Sequence, residues 1–473
     1  MRISILIGIL AIGLGACNSK PNIKVDTLIA NINIVDVVSG DIINNQNIGL
    51  RNDSIIFIMG NSDLFNVEST NIYDKRGKYA IPGLWDMHVH FRGGTSLIEE
   101  NKNLLPLYTA FGISGVRDAG GDLTSSVLEW RKQIRSGEMI GPDIFTSGPK
   151  IDGPNGTWAG SIPVVTDADV MHALDTLEAI GSDYVKIYDS RISKEAYLKI
   201  IKEATKRGTT TSGHMPFTVM LQDAVESGIG SIEHLYYILK GCSSEEAAVT
   251  QAVIDGKMGF WSSFEKLMAT YDEDVAKASI QRLKVNGTFV VPTLHIGSIL
   301  TLMKEQSHDN DEMLNYVGDG IIKTYAGRVK GAMGASDATT DRNKRMRIMF
   351  RELVPKLVDA GVLLLAGSDG GASNSYVYPG ISLHNELANM VETGLTPIEA
   401  LRTATINGAK FMKTDHYTGS IAVGKKANLL ILDVNPLSDI RNTKNINMMI
   451  SNGKTHTEKD LSDLKESVRK SKN

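Results

Sequence analysis

Cysteine is nearly missing from this chain: 473 residues contain two, Cys17 and Cys242. Two thiols cannot build a disulfide framework. An excess of one charge is missing as well, since 50 basic residues face 54 acidic ones for a net charge of −4. That balance supplies no electrostatic pull toward nucleic acid. Gly (45) and Pro (13) stay near an average share, which excludes collagen-like and low-complexity chains. No internal repeat appears beyond an alternation of strand-like and helix-like segments. What is present is ordinary for a globular body, with 42% hydrophobic and 22% charged residues. At roughly 150 residues per domain, the length allows about three units or one large barrel with attachments.

The N-terminus has its own logic. Residues Met1 to Ala16 read MRISILIGILAIGLGA, one arginine and then an apolar run. A membrane-crossing helix needs roughly 20 apolar residues, so this run is too short. A charged start, a short apolar centre and small residues before a cleavage point make a secretory signal. Leu14-Gly15-Ala16-Cys17 resembles the lipobox of bacterial lipoproteins, in which the cysteine is lipidated. A plain signal peptide with an incidental Cys17 is the alternative. The lipobox implies export and a lipid anchor to a bacterial membrane, on its periplasmic or cell-surface side. Residues 17–25 then read as a tether, and Cys242 is left without a partner.

From residue 26 to 81 short Ile- and Val-rich runs alternate with polar turns, as strands do. From 82 to 412 the pattern becomes a short apolar run followed by an amphipathic stretch, eight times over. The runs are LWDMHVHF (84–91), SGVRDA (114–119), DIFTSG (143–148), DYVKIYD (183–189), TTTSGH (209–214), GSIEHL (230–235), TFVVPTL (288–294) and LLLAGSD (363–369). Several of the intervening helical patterns close on Gly. This is the sequence form of an α/β protein with a (β/α)8 TIM-like barrel. Residues 413–457 return to strands and complete a small β-sandwich with 26–81, leaving 458–473 as a charged tail, a solvated helix or a frayed end. The stretch from Thr293 to Leu363 is too long for one helix, which makes 295–360 an insertion with a flexible polar segment, GAMGASDATTDRNKR. It reads equally as a lid over the barrel mouth or as a surface insertion.

The unusual polar residues fall at the ends of these runs. His88 and His90 are two apart, so both point the same way from a strand. Lys186 stands between Val185 and Ile187, where a strand lysine is buried. His214, His234 and Asp369 end the fifth, sixth and eighth runs. In a barrel the carboxyl ends of the strands meet at one face, so six scattered residues converge. Imidazole and carboxylate suit zinc and related divalent ions. Singly each fragment is equally well a structural residue; the ordered set is not.

The chain resembles the amidohydrolase superfamily, and within it the group related to imidazolonepropionase and the metal-dependent prolidases. The marks are IPGLWDMHVH (81–90), YVKIYD (184–189), SGH (212–214), SIEHL (231–235) and AGSDGG (366–371), with GLTPIEALRTATINGAKFM (394–412) and GSIAVGKKANLLILDVNPLSDI (419–440) behind them. The resemblance implies two divalent ions, zinc first, and a carboxylated Lys186 bridging them. His88, His90 and Asp369 would hold one ion, and His214 and His234 the other. It also implies a bridging hydroxide as nucleophile and Asp369 as the group that moves its proton. The reaction is hydrolysis of an amide or another C–N bond, other than a ring amine, in a small molecule. Deamination of a ring amine is disfavoured, because such relatives usually have no lysine at the position of Lys186. A dipeptidase, a cyclic-amide hydrolase or an inactive ligand-binding surface lipoprotein are the alternatives.

Substrate contacts are thinner. Tyr188 is two beyond Lys186 and faces the same mouth, and Arg92 follows His90 by two, in reach of a substrate carboxylate. HVHFR is similar to the arrangement in dihydroorotases and hydantoinases. Trp158 in the loop GPKIDGPNGTWAG (148–160) and Tyr236 and Tyr237 after His234 are further candidates; for all of these, packing is the competing reading. That loop contains no histidine, unlike the Gly-Gly-His of prolidase relatives, which weakens the dipeptidase alternative. His172, His295, His308, His384, His416 and His456 read as structural or exposed, and Asn428 as a sheet residue. A homo-oligomer is compatible with everything here; nucleic acid is not an expected partner.

Overall fold

The computed structural model describes residues 22–61 and 66–472, so the segment read as a signal sequence, and Cys17, lie outside the described residues. The stretch expected as a tether up to residue 25 is not all tether. A strand already begins at Ile23, whose N–H bonds Asn66 O at 2.9 Å and which pairs in parallel with Val67. Among the described residues no helix is long and apolar enough to cross a membrane.

The two ends of the chain share one sheet. Its strands run in the order Lys454–Thr457, Ile446–Ser451, Leu429–Leu432, Tyr79–Pro82, Ile23–Val35, Ile42–Arg51, Ser54–Gly60, and Val67–Asp74 also joins Ile23–Val35. The expected sandwich is thus one continuous ladder path. The reason lies in Ile23–Val35, where Asn31 takes a left-handed φ of 59° and the pairing register slips on both sides of Ile32. Bulges bend a strand, and this one changes partner from Val67–Asp74 to Tyr79–Pro82 along one edge. Ile29, Ile32, Ile48, Leu429, Ile431 and Ile450 close its core.

Between these ends the chain is α/β with parallel strands. Gly370–Gly371, Leu84–His90, Ile113–Asp118 and Asp143–Thr146 form one ladder. A second runs Ile162–Pro163, Ile151–Asp152, Val185–Ile187, Thr211–Gly213, Ser231–Glu233 and Phe289–Val291. The eighth run, 363–369, differs from expectation: it is no regular strand. It is stitched in by single bonds, Leu365 N–H to Val290 O (2.9 Å), Met87 N–H to Ala366 O (2.8 Å) and Asp369 N–H to His88 O (2.7 Å). Asp369 itself has φ 58°, a left-handed conformation that ends any extended run.

Helices cover the outside. Lys194–Lys206 shows why they form: Ser193 caps its N-terminus, and Ala196, Tyr197, Ile200, Ile201 and Ala204 repeat at helical spacing and are buried. Each such large side chain removed from water contributes about 1.5–3 kcal/mol. The insertion corrects a second expectation. GAMGASDATTDRNKR is largely helical; it spans the end of helix Ala326–Met333 and the first turns of Asp337–Asp359, broken at Gly334. The charged tail is a helix, Glu458–Ser471, with a Thr457–Asp460 capping box and Leu461 and Val468 buried.

Candidate metal centre

The carboxyl ends of the parallel strands bring His88, His90, Lys186, His214, His234 and Asp369 to one cluster. His88 and His90 leave the Leu84–His90 strand on the same side, and their Nε2 atoms face each other at 3.3 Å. Asp369 Oδ1 lies 3.5 Å from His88 Nε2 and 3.1 Å from His90 Nε2. These three offer donor atoms close enough for one ion. His214 and His234 face each other in the same way, Nε2 to Nε2 at 3.1 Å. The His88 and His234 ring centroids are 5.2 Å apart. Lys186 is buried, and its Nζ has no hydrogen-bond partner among the described residues. Burial lowers its pKa to about 8, against the opposing pull of Glu233.

The outer nitrogens of His90, His214 and His234 have hydrogen-bond partners, and that of His88 lies against a carboxylate without hydrogen-bond geometry. His88 Nδ1 lies 2.5 Å from Glu233 Oε2, His90 Nδ1 is 3.0 Å from Gly120 O, His214 Nδ1 is 3.1 Å from Asp189 Oδ1, and His234 Nδ1 is 2.6 Å from Thr293 Oγ1. A carbonyl and a carboxylate only accept, so His88 and His90 put their protons on Nδ1 and turn bare lone pairs inward. Burial, with the neighbouring cations, keeps His90 and His234 far below the usual imidazole pKa, and lowers His88 less.

Two of these supports were invisible as roles in the sequence. Glu233 and Arg117 form a fully buried ion pair, Nη2 to Oε1 at 2.8 Å and to Oε2 at 3.0 Å. Arg117 also donates to Met87 O at 2.6 Å, tying the pair to the His88 strand. Both residues stand in quoted runs, SGVRDA and SIEHL, where a charge inside a short apolar strand was the available signal. Asn374 was missed altogether; its Nδ2 donates to Asp369 Oδ1 at 2.8 Å. Strain also gathers here, with His234 (φ 67°), Thr293 (φ 49°) and Asp369 left-handed.

The cluster opens into a cavity of about 1200 Å³. Tyr188, Arg92, Trp158 and Tyr236 all line it. The Arg92 guanidinium stacks 3.9 Å over Trp158 and donates to Ala372 O (2.8 Å) and Asn374 Oδ1 (3.0 Å). Tyr188 packs 4.4 Å from the His214 ring. His295 and His384 stand apart from the cluster. His384 is buried between Thr443 Oγ1 and Phe111 O, a structural role, and His295 bonds Asn385. Cys242 is buried and free. From the insertion, Asp337–Asp359 forms one wall of the cavity through Met346, Phe350 and several arginines.

Imidazoles and a carboxylate at parallel strand ends, opening on a large pocket, define a TIM-like hydrolase site suited to divalent ions. More particularly, the chain belongs to the amidohydrolase family, whose model matches residues 79–456. Members of this family are hydrolases acting on C–N bonds of small molecules, generally with divalent metal ions. The chain is 24% identical over 407 residues to a 5-methylthioadenosine/S-adenosylhomocysteine deaminase of Thermoanaerobacter pseudethanolicus, covering 82% of this chain and 81% of the relative. Among solved structures, bottromycin amidohydrolase superposes with a TM-score of 0.74 at 18% identity, over 94% of this chain and 90% of that one. A Xaa-Pro dipeptidase with bound methionine superposes with a TM-score of 0.65 at 20% identity, over 91% and 99%. At such identities the superpositions speak for the fold, a TIM-like barrel with a β-rich unit beside it.

Proposed function

We propose that this chain hydrolyses an amide or related C–N bond of a small molecule at a two-metal centre, at the mouth of a closed (β/α)8 barrel. The observation that supports it most is electrostatic. His88 Nε2, His90 Nε2 and Asp369 Oδ1 converge within 3.5 Å, with protons directed outward on the two rings. Three lone-pair donors facing one another repel unless a cation lies among them. The donor set therefore fits a divalent ion, with a second for His214 and His234.

Lys186 fits a bridging anion rather than an ammonium. A buried, unpartnered ammonium costs several kcal/mol. Addition of its neutral amine to carbon dioxide forms an N–C bond and releases a proton, giving a carbamate. Bound there, two divalent ions would supply a water of pKa about 7 and polarise the substrate carbonyl. Asp369 accepts the proton of the attacking water and delivers it to the departing nitrogen. Asn374 holds Asp369 Oδ1 and so leaves Oδ2 to exchange that proton. Tyr188 and Arg92 hold the substrate, Arg92 by its carboxylate.

Deamination of a ring amine is a second reading, suggested by the names of several relatives, 5-methylthioadenosine/S-adenosylhomocysteine and adenine deaminases; the buried Lys186 beside the histidines speaks for the first. Metal analysis of the purified chain tests the centre, with about two divalent ions expected per chain. Fewer than one, or unchanged content in Lys186→Ala, would refute the bridged site. A hydrolysis screen of dipeptides, N-acyl amino acids, lactams and cyclic ureides, with zinc and bicarbonate, tests the reaction. We also propose export and lipidation at Cys17. Detergent-phase partition of the expressed protein, lost in Cys17→Ala, is the expected result, and partition that persists in that variant refutes it.

A further inference from the structure

The arginines of the insertion fall into two sets. Arg345 and Arg351 meet carboxylates, Glu265 at 2.9 Å and Glu392 at 3.5 Å. Arg342 and Arg347 line the cavity beside the paired Arg351, joined by Arg328 from the helix Ala326–Met333. Among the described residues, no carboxylate lies within ion-pair distance of these three. Arg347 donates only to Ser298 Oγ (3.0 Å), Arg342 to Asn343 Oδ1 (3.2 Å) and distantly to Trp261 O (3.5 Å). Arg328 makes no side-chain hydrogen bond among the described residues.

The cavity cannot neutralise them. Its acidic lining residues are Asp189 and Asp369. Asp189 already holds His214 and Tyr237, and Asp369 belongs to the metal cluster. The basic wall is no by-product of a basic protein, because the whole chain is at −4. Guanidiniums gathered without counter-charge cost free energy that an arriving anion relieves. Aromatic rings connect this wall to the metal cluster, with Tyr236 5.1 Å from Phe350 and 5.7 Å from Trp261.

We propose that Arg328, Arg342 and Arg347 form a second anion subsite in this cavity, selecting amides with an additional carboxylate beyond an apolar segment. This rests on the amide-hydrolase reading above. The substrates are then dianionic, with one carboxylate at Arg92 and the other on the insertion helix.

The test compares N-glutaryl-phenylalanine with N-pentanoyl-phenylalanine, which differ by one terminal carboxylate, on the zinc-loaded full chain. A preference of about tenfold or more for the glutaryl compound is expected, seated in KM. Arg328→Gln and the Arg342→Gln/Arg347→Gln pair should drive that ratio toward one, and Arg342→Lys/Arg347→Lys should restore part of it. Arg345→Gln, on the same helix but paired outward, should keep the ratio. A ratio near one in the unaltered chain, or one indifferent to the glutamine variants, overturns the subsite. If neither compound is cleaved, the amide-hydrolase reading fails on these probes, and the subsite is judged by calorimetric binding of glutarate. Binding that disappears in Arg328→Gln supports it; absent or unaltered binding overturns it.

Discussion

The floor and the far wall of the cavity are built on opposite plans. On the floor every histidine of the cluster is placed by its strand or loop and has a polar group beside its outer nitrogen. On the wall, Arg342 and Arg347 have neutral partners alone, and Arg328 has none among the described residues. A preorganised floor suits chemistry, which tolerates little displacement of the reacting groups. A wall of long, loosely held cations suits recognition of something that brings its own charge. Substitutions on the floor should therefore change kcat or folding, and substitutions on the wall should change KM and selectivity.

The sharpest way to break this division is Asp369→Asn, which preserves shape and removes the proton acceptor. A fall in kcat of about 10²–10⁴-fold is expected, with KM little altered. Hydrolysis at the unaltered rate would refute the proton shuttle. Next is Arg117→Met, which leaves the buried Glu233 carboxylate without its cation. Breaking such a pair costs about 3–5 kcal/mol, read as a lower urea midpoint. Metal content should fall as well, since Glu233 orients His88. A variant as stable as the parent would mean that the pair does not brace the floor. A smaller effect is expected of Asn374→Ala, about tenfold in kcat, because Asp369 loses one charge-assisted hydrogen bond but keeps its charge. Metal content unchanged alongside a lower kcat would separate orientation from ligation.

How much of this was legible beforehand differs between the same two regions. The floor was legible because strand periodicity and the parallel α/β pattern carry His88, His90, Lys186, His214, His234 and Asp369 to one end. What braces it was not: Arg117 and Glu233 are 116 positions apart, and nothing local says that two buried charges will meet. Asn374 comes from the loop after a left-handed Asp369, a backbone turn that no spacing announces. The wall's regular helix was not legible for a physical reason. Asp337–Asp359 buries only Met346, Leu353, Val354 and Leu357, a stripe so narrow that polar residues dominate any window along it. Its helix is stabilised by packing of that stripe into the main core, and packing partners are not written in the segment itself.

The smallest expected effect lies beneath the join of floor and wall, at Glu386. Its carboxylate accepts from the Leu294 and His295 N–H groups, at 2.9 and 2.7 Å, and so anchors the first helix of the insertion next to Thr293, which holds His234. Burial raises its pKa to about 8, more than those two hydrogen bonds lower it. An acid raised in the folded state binds its proton more tightly there than in the unfolded chain. Between about pH 4.5 and 8 the folded state therefore holds the extra proton, and stability falls as pH rises through that window. Asp86, raised to about 7 by burial, slopes the same way. Asp118, raised to about 6, does so too. Glu386→Gln removes one of these titrations, so the melting temperature should fall less steeply from pH 5 to 8 than in the parent. A variant whose melting profile keeps the parent's full slope would show that Glu386 is ionised in the folded chain. The insertion would then be moored to the floor by a charge rather than by a neutral acid, and the contrast between the two regions would narrow at this point.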